Sequence, residues 1–144
     1  MSHRRWRVTT TYKDIRDAVK NRIVAGWTTT AIHWTATKLN PTIASPWIQP
    51  RLLFGSARAV SLGPLGHNRI AGDLHCNIFL PVGSGDDEAM TYADSFRALF
   101  PRGLLLPTAN KSVTFETPEV IQALEDEDWF QVPVICPFYS DEQP

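Results

Sequence analysis

His75 and Cys76 stand side by side in the stretch LHCNIFLPVGSGDDEAMTYADSF, residues 74–96. A cysteine beside a histidine is the nucleophile–base couple of thiol catalysis. The Gly-Ser-Gly that follows could cradle a phosphate at the start of a helix. Local geometry argues against both. The residues around His75 alternate as a strand, and neighbours on a strand point to opposite faces, so this pair cannot share the hydrogen bond the chemistry needs. His75 could pair with Cys136 only if that cysteine lay on the same face. Asp86, Asp87 and Glu88 crowd the helix start with negative charge, and neither a Gly-Lys-Ser/Thr nor a GxGxxG follows, so Gly83-Ser84-Gly85 reads as a turn.

The remaining candidates are sparse. His3, His33, His67 and His75 show no i, i+4 pairing. A zinc site from His33, His75 and a cysteine would need ligands converging from afar, without support from spacing. Cys76 and Cys136 have no CxxC partner and sit in apolar alternating runs, where cysteine acts as a small hydrophobe. The carboxylates gather at a helix start and in a loop, not in the apolar settings that tune an acid catalyst. The expectation is a protein without catalytic residues, metal or cofactor, whose work is done by surfaces. A small enzyme or metal protein using His75, Cys76 or Cys136 is the alternative from another class.

With 144 residues, 43% hydrophobic and 20% charged, the chain reads as one soluble globular domain. No apolar run approaches the roughly 20 residues of a membrane span, and the N-terminus lacks the apolar core of a secretory signal, so the cytoplasm is the default location and no membrane partner is expected. Net charge is −1 but unevenly spread. Residues 1–22 hold seven basic groups (Arg4, Arg5, Arg7, Lys13, Arg16, Lys20, Arg22) against Asp14 and Asp17, whereas residues 116–144 hold eight acids and no Lys or Arg. Either two solvated surfaces result, or a basic face of one subunit meets an acidic face of the next. On the second reading the contact residues are Arg4, Arg5, Arg7, Trp47 and Arg51, with Glu125, Asp126, Glu127 and Asp128 opposing them. Three arginines beside one tryptophan are too little to argue for a nucleic-acid arm.

The elements that position these groups follow from periodicity. Tyr12, Ile15, Val19 and Ile23 form one stripe of a helix over 11–26, capped by Thr10 or Thr11, with Trp27 packing back. Residues 28–50 carry prolines at 41, 46 and 50, which predicts extended loop with apolar groups such as Trp47 and Ile48 tucked in or offered to a partner. Strands are predicted over 51–62 and 69–82, joined through the turn-rich 63–68. A second helix covers 86–100, stopped by Pro101 and Gly103. Val113 and Phe115 point inward from a strand over 111–116. The alternation over 128–140 predicts a last strand, placed at the sheet edge because Pro133 and Pro137 lack donors. Residues 117–128 are read as a helical turn or protruding loop.

This order of segments resembles the tail terminator, or tail completion, proteins of long-tailed bacteriophages. The resemblance rests on the glycine turn into Ala89, Tyr92, Ala93, Asp94, Phe96, Leu99 and Phe100, on VTF (Val113–Phe115) and on DWFQVPV (Asp128–Val134), within residues 11–138. It implies an α/β (α+β) single domain over 1–144, with a basic arm (1–10) and an acidic tail (139–144). Two helices (about 11–26 and 86–100) would pack on a mainly antiparallel sheet of about four to five strands. It also implies a minor tail protein of the virion, assembled in the host bacterial cytoplasm as a hexameric ring on the head-proximal end of the tail. Its partners would be other copies of itself, the tail tube protein and a head–tail connector or stopper protein, with DNA passing through the lumen without specific binding. A head-completion protein or tail tube subunit is the neighbouring alternative.

Overall fold

The computed structural model describes residues 11–34, 45–59, 66, 68–83, 85–108, 112–125 and 128–142. Helix α1 (Tyr12–Gly26) begins where Thr11 closes a capping box: its hydroxyl accepts from Asp14 N at 3.1 Å, and Thr11 N donates to the Asp14 carboxylate. Such a box satisfies two otherwise free donors and fixes the helix start. Ile15, Val19 and Ile23 are buried, as their spacing requires, and Trp27 caps the end inside the core. Helix α2 (Asp87–Leu99) buries Ala89, Ala93 and Phe96. Its N-cap residue, Asp86, makes no side-chain capping bond, so the acids there act through charge on the helix dipole rather than as caps. Gly83 and Gly85 adopt φ of 102° and 77°, the left-handed turn that glycine tolerates without strain.

The sheet is larger than the four to five antiparallel strands expected. Among the described residues nine strands take part: β1 (Ala31–Ile32), β2 (Trp47–Phe54), β3 (Arg58–Ala59), β4 (Asn68–Pro81), β5 (Leu105–Pro107), β6 (Ser112–Phe115), β7 (Glu119–Val120), β8 (Leu124–Glu125) and β9 (Trp129–Glu142). The order is β1-β2-β4-β9-β6-β5, with β3 on β4 and with β7 and β8 on β9. All pairs are antiparallel except β1 with β2. Several of these strands are two-residue bridges without a periodicity to read, which is why the sequence undercounts them.

Three local expectations change. Trp47 and Ile48 lie on strand β2 and are buried, so the loop expected over 28–50 ends sooner. The strand expected over 51–62 stops at Phe54 and resumes only as β3, and most of the 63–68 turn lies outside the described residues. The largest correction concerns β9, which is no edge. It pairs with β4 over fourteen residues on one side and with β6, β7 and β8 in succession on the other. Within the predicted loop or helical turn at 117–128, Glu119–Val120 and Leu124–Glu125 pair with β9, residues 121–123 between them form no strand, and 126–127 lie outside the described residues.

The two prolines explain how an interior strand tolerates them. In an extended strand the N–H and C=O of one residue point the same way. Pro137 and Pro133 accept at their carbonyls from Glu116 N (2.9 Å) and Ile121 N (3.1 Å), so both missing donors face the 112–125 side. There the register slips once at each proline. From Phe115–Phe138 to Glu119–Ile135, four steps oppose three, and the same holds from Val120–Val134 to Leu124–Gln131. Each proline thus sits in a bulge, where no donor is needed, and the β4 side keeps its full ladder.

One face of this sheet carries both helices. The core joins Ile15, Val19 and Ile23 to Phe96 and Phe100, and these to Leu74, Cys76, Ile78, Phe115, Val134 and Phe138. Each such side chain gains roughly 1.5–3 kcal/mol on leaving water. Gly72 is required by close approach: a Cβ there would lie 2.4 Å from the Leu53 carbonyl, beneath the Phe54–Phe138 edge contact at 6.0 Å. At the far end, Arg69 grips Asp141 across the β4–β9 ladder at 2.8 and 3.2 Å and lies 4.1 Å over the Tyr139 ring.

Candidate functional site

The residues with the most reactive side chains are kept apart. Cys76 is buried in the core face opposite Val134, and Cys136 on the same face opposite Leu74, one diagonal step away. Both are free thiols. Burial, and then the neighbouring Cys136, push the Cys76 thiol well above its ordinary value. Burial likewise pushes Cys136 up to about 12, against a small opposing pull from Arg97. Because the thiolate is the nucleophile and metal ligand, both positions are chemically quiet at neutral pH. His75 lies on the other face, as alternation demands. Burial, and the cross-strand Arg51 beside it, lower its pKa below the ordinary 6.5. Among the described residues no three metal-ligating side chains gather, and no helix is long and apolar enough to cross a membrane.

The face opposite the helices has a different character. Trp47 stacks on Phe79 at 4.0 Å, with His33 and Trp129 edge-on to it at 4.8 and 5.8 Å. The cluster brings the ends of β1, β2, β4 and β9 together. Trp47 is only 4% exposed, and its indole N–H finds no acceptor among the described residues. The same holds of the Arg51 Nε, and Asn77 Oδ1 lacks a donor. Two of the sequence-predicted contact residues, Trp47 and Arg51, thus lie on one face, four residues apart on β2. The aromatic cluster escaped the sequence reading because its members are scattered over a hundred residues. The alternation of Trp47 with Ile48 was its local sign.

The charged contact residues that the structure describes are separated by β4: Arg51 lies on β2, on one side of it, and Glu125 and Asp128 lie on the other, at β8 and β9. Glu125 is exposed on β8, and Asp128 is exposed at the start of β9, its carbonyl accepting from Val82 N. Arg4, Arg5, Arg7, Asp126 and Glu127 lie outside the described residues. On the β2 side, α1 carries Lys13, Arg16 and Lys20. Lys13 and Arg16 both pair with Asp17, and Lys20 rests 5.1 Å over Trp34. A cavity of about 350 Å³ opens between α1 and β2, lined by Arg16, Val19, Lys20, Trp34, Leu52 and Phe54 among others. Large apolar side chains are exposed on both sides: Leu53 and Phe54 near this cavity, Ile121 and Leu124 along the acidic side.

Comparison with known proteins gives a family and a fold. A family model described as phage tail terminator protein matches residues 14–138. A solved structure known only by a sequence label shares the fold, with a TM-score of 0.73 at 23% identity, covering 93% of this chain and 96% of that one. No curated protein matches the chain.

Proposed function

The chain belongs to the phage tail terminator family, structural proteins of the virion tail, and we propose that it forms a hexameric ring on the head-proximal end of the finished tail tube. There the ring ends addition of tube subunits and presents the surface that the head connector or stopper protein joins. DNA passes through the lumen unbound, since acidic groups such as those at 125–128 would repel its phosphates if they line it. Assembly takes place in the host bacterial cytoplasm. The carrying observation is the family match over 14–138, which takes in nearly all of both helices and every strand. The basic Arg16 and Lys20 of α1 border β2, and acidic β7–β8 lie beyond β9; that separation of charge supports it, because a closed ring needs unlike surfaces to meet.

Electron microscopy of particles made without the protein tests the reading. Over-long tubes and unjoined heads are the expected result. Tails of normal length that remain unjoined would make the chain a head-completion protein instead, and the loss of all tubes would make it a tube subunit.

A further inference from the structure

Two stretches of the sheet margin lack a strand partner among the described residues. On β2, strand β1 covers only Trp47 and Ile48, which leaves Leu52–Phe54 unpaired on the outer side. Beyond β9, the outer side of β7 and β8 carries no further strand. The first stretch borders the 350 Å³ cavity, whose floor includes Val19 and Leu52 and whose α1 wall carries Arg16 and Lys20. The second carries exposed Glu119 and Glu125 together with Ile121 and Leu124, which are 38% and 58% exposed. A bare edge is a hazard that proteins usually blunt with charge and bulges. Here the two edges carry opposite charge, so like edges repel and unlike edges attract.

Resting on the ring reading, we propose that subunits join edge to edge: the acidic β7–β8 margin of one copy lies along the Leu52–Phe54 margin of the next. Glu125, which shares its face with the helices, then faces Arg16 and Lys20 beside the cavity, while Glu119 and Leu124 lie on the other face of the joined sheet. The sheet continues from subunit to subunit by strand addition. The two margins lie on opposite sides of one sheet, so the contact is head-to-tail and leaves one of each free on every copy until the ring closes.

Charge exchange tests this on the full chain, by sedimentation velocity at concentrations where the wild type assembles, or on purified tail tubes. Arg16→Glu with Lys20→Glu makes both margins acidic, and Glu119→Lys with Glu125→Lys makes both basic. Each variant alone should associate roughly tenfold more weakly or worse, and mixing the two should restore assembly as alternating oligomers. All four positions are on the surface, so circular dichroism should show unchanged folding. A second measurement is independent of charge. Chains carrying Leu53→Cys and chains carrying Gln122→Cys should cross-link to each other with a short bis-maleimide, and neither should cross-link to itself. Association at wild-type strength in both charge variants, failure of mixing to restore it, or self-cross-linking of either cysteine chain overturns the edge contact and leaves the ring standing. A wild-type chain that stays monomeric both alone and on tubes removes the ring, and this contact with it.

Discussion

The two flanks of β9 are built on opposite principles. Toward β4 the strand runs through fourteen paired residues without a slip, from Asn68–Glu142 to Pro81–Trp129. Toward 112–125 it meets three short pieces, each one residue further out of step than the last. The same fourteen residues support both, and the difference is made by where two missing N–H groups point. An unbroken antiparallel ladder is the part that resists opening. A segmented, bulged margin twists more and opens more easily. A terminator-family domain built this way has a fixed frame and one segmented rim, and that rim carries Glu119 and Glu125 with the exposed Ile121 and Leu124.

The strongest way to break the contrast is to remove a side chain from the frame and one from the rim. Phe138→Ala deletes a ring buried against Phe54 and Phe115 and should cost about 3–5 kcal/mol in urea unfolding, whereas Leu124→Ala should change stability by less than about 0.5 kcal/mol. Equal losses would mean that rim and frame unfold as equals. Gly72→Ala should follow at about 1–3 kcal/mol, because the new methyl must displace the Leu53 carbonyl from β4. A thermal melt unchanged by that substitution would contradict the close approach. Pro133→Ala and Pro137→Ala should each lose only about 0.4–1 kcal/mol, through greater freedom of the unfolded chain. If either raises stability, the restored N–H has found an acceptor and the bulge is not fixed. The smallest effect is a pH dependence. The folded pKa of His75 lies below 6.5, so the unfolded chain binds the extra proton first and stability falls as pH drops through that value. His75→Gln should narrow the gap between unfolding midpoints at pH 7.5 and 5.5, and an unaltered gap would assign the acid sensitivity elsewhere.

Regular elements were legible where one period runs for several turns. Thr11, Ile15, Val19 and Ile23 announced α1, and the alternation from Ile70 to Leu80 announced β4 and separated His75 from Cys76. What failed was the inference from proline to edge. A sequence shows that Pro133 and Pro137 lack donors, but not that both face one flank or that the partner chain bulges past each. The same rule misjudged Trp47 and Ile48, which Pro46 and Pro50 made look like loop. The outer side of β2 is marked by Ile48 O, which accepts from His33 N, and Pro50 turns its nitrogen to that same side. Of the predicted contact surface, the separation of basic and acidic ends could be read from composition. Which of those charges border an unpaired strand could not, because that depends on pairings between residues up to 74 positions apart, as in Asn68–Glu142.

The start of α1 and the end of β9 both meet the first half of β4 through a short chain of contacts. Tyr12 contacts the Phe54 ring at 4.7 Å, Phe54 pairs with Gly72, and a few residues along β4 Asn68 pairs with Glu142. The Gly83–Gly85 turn, just past the end of β4 at Pro81, lies at the opposite end of that strand from Asn68. A cut at that turn would sever no strand described above, so a nicked chain would still hold every pairing.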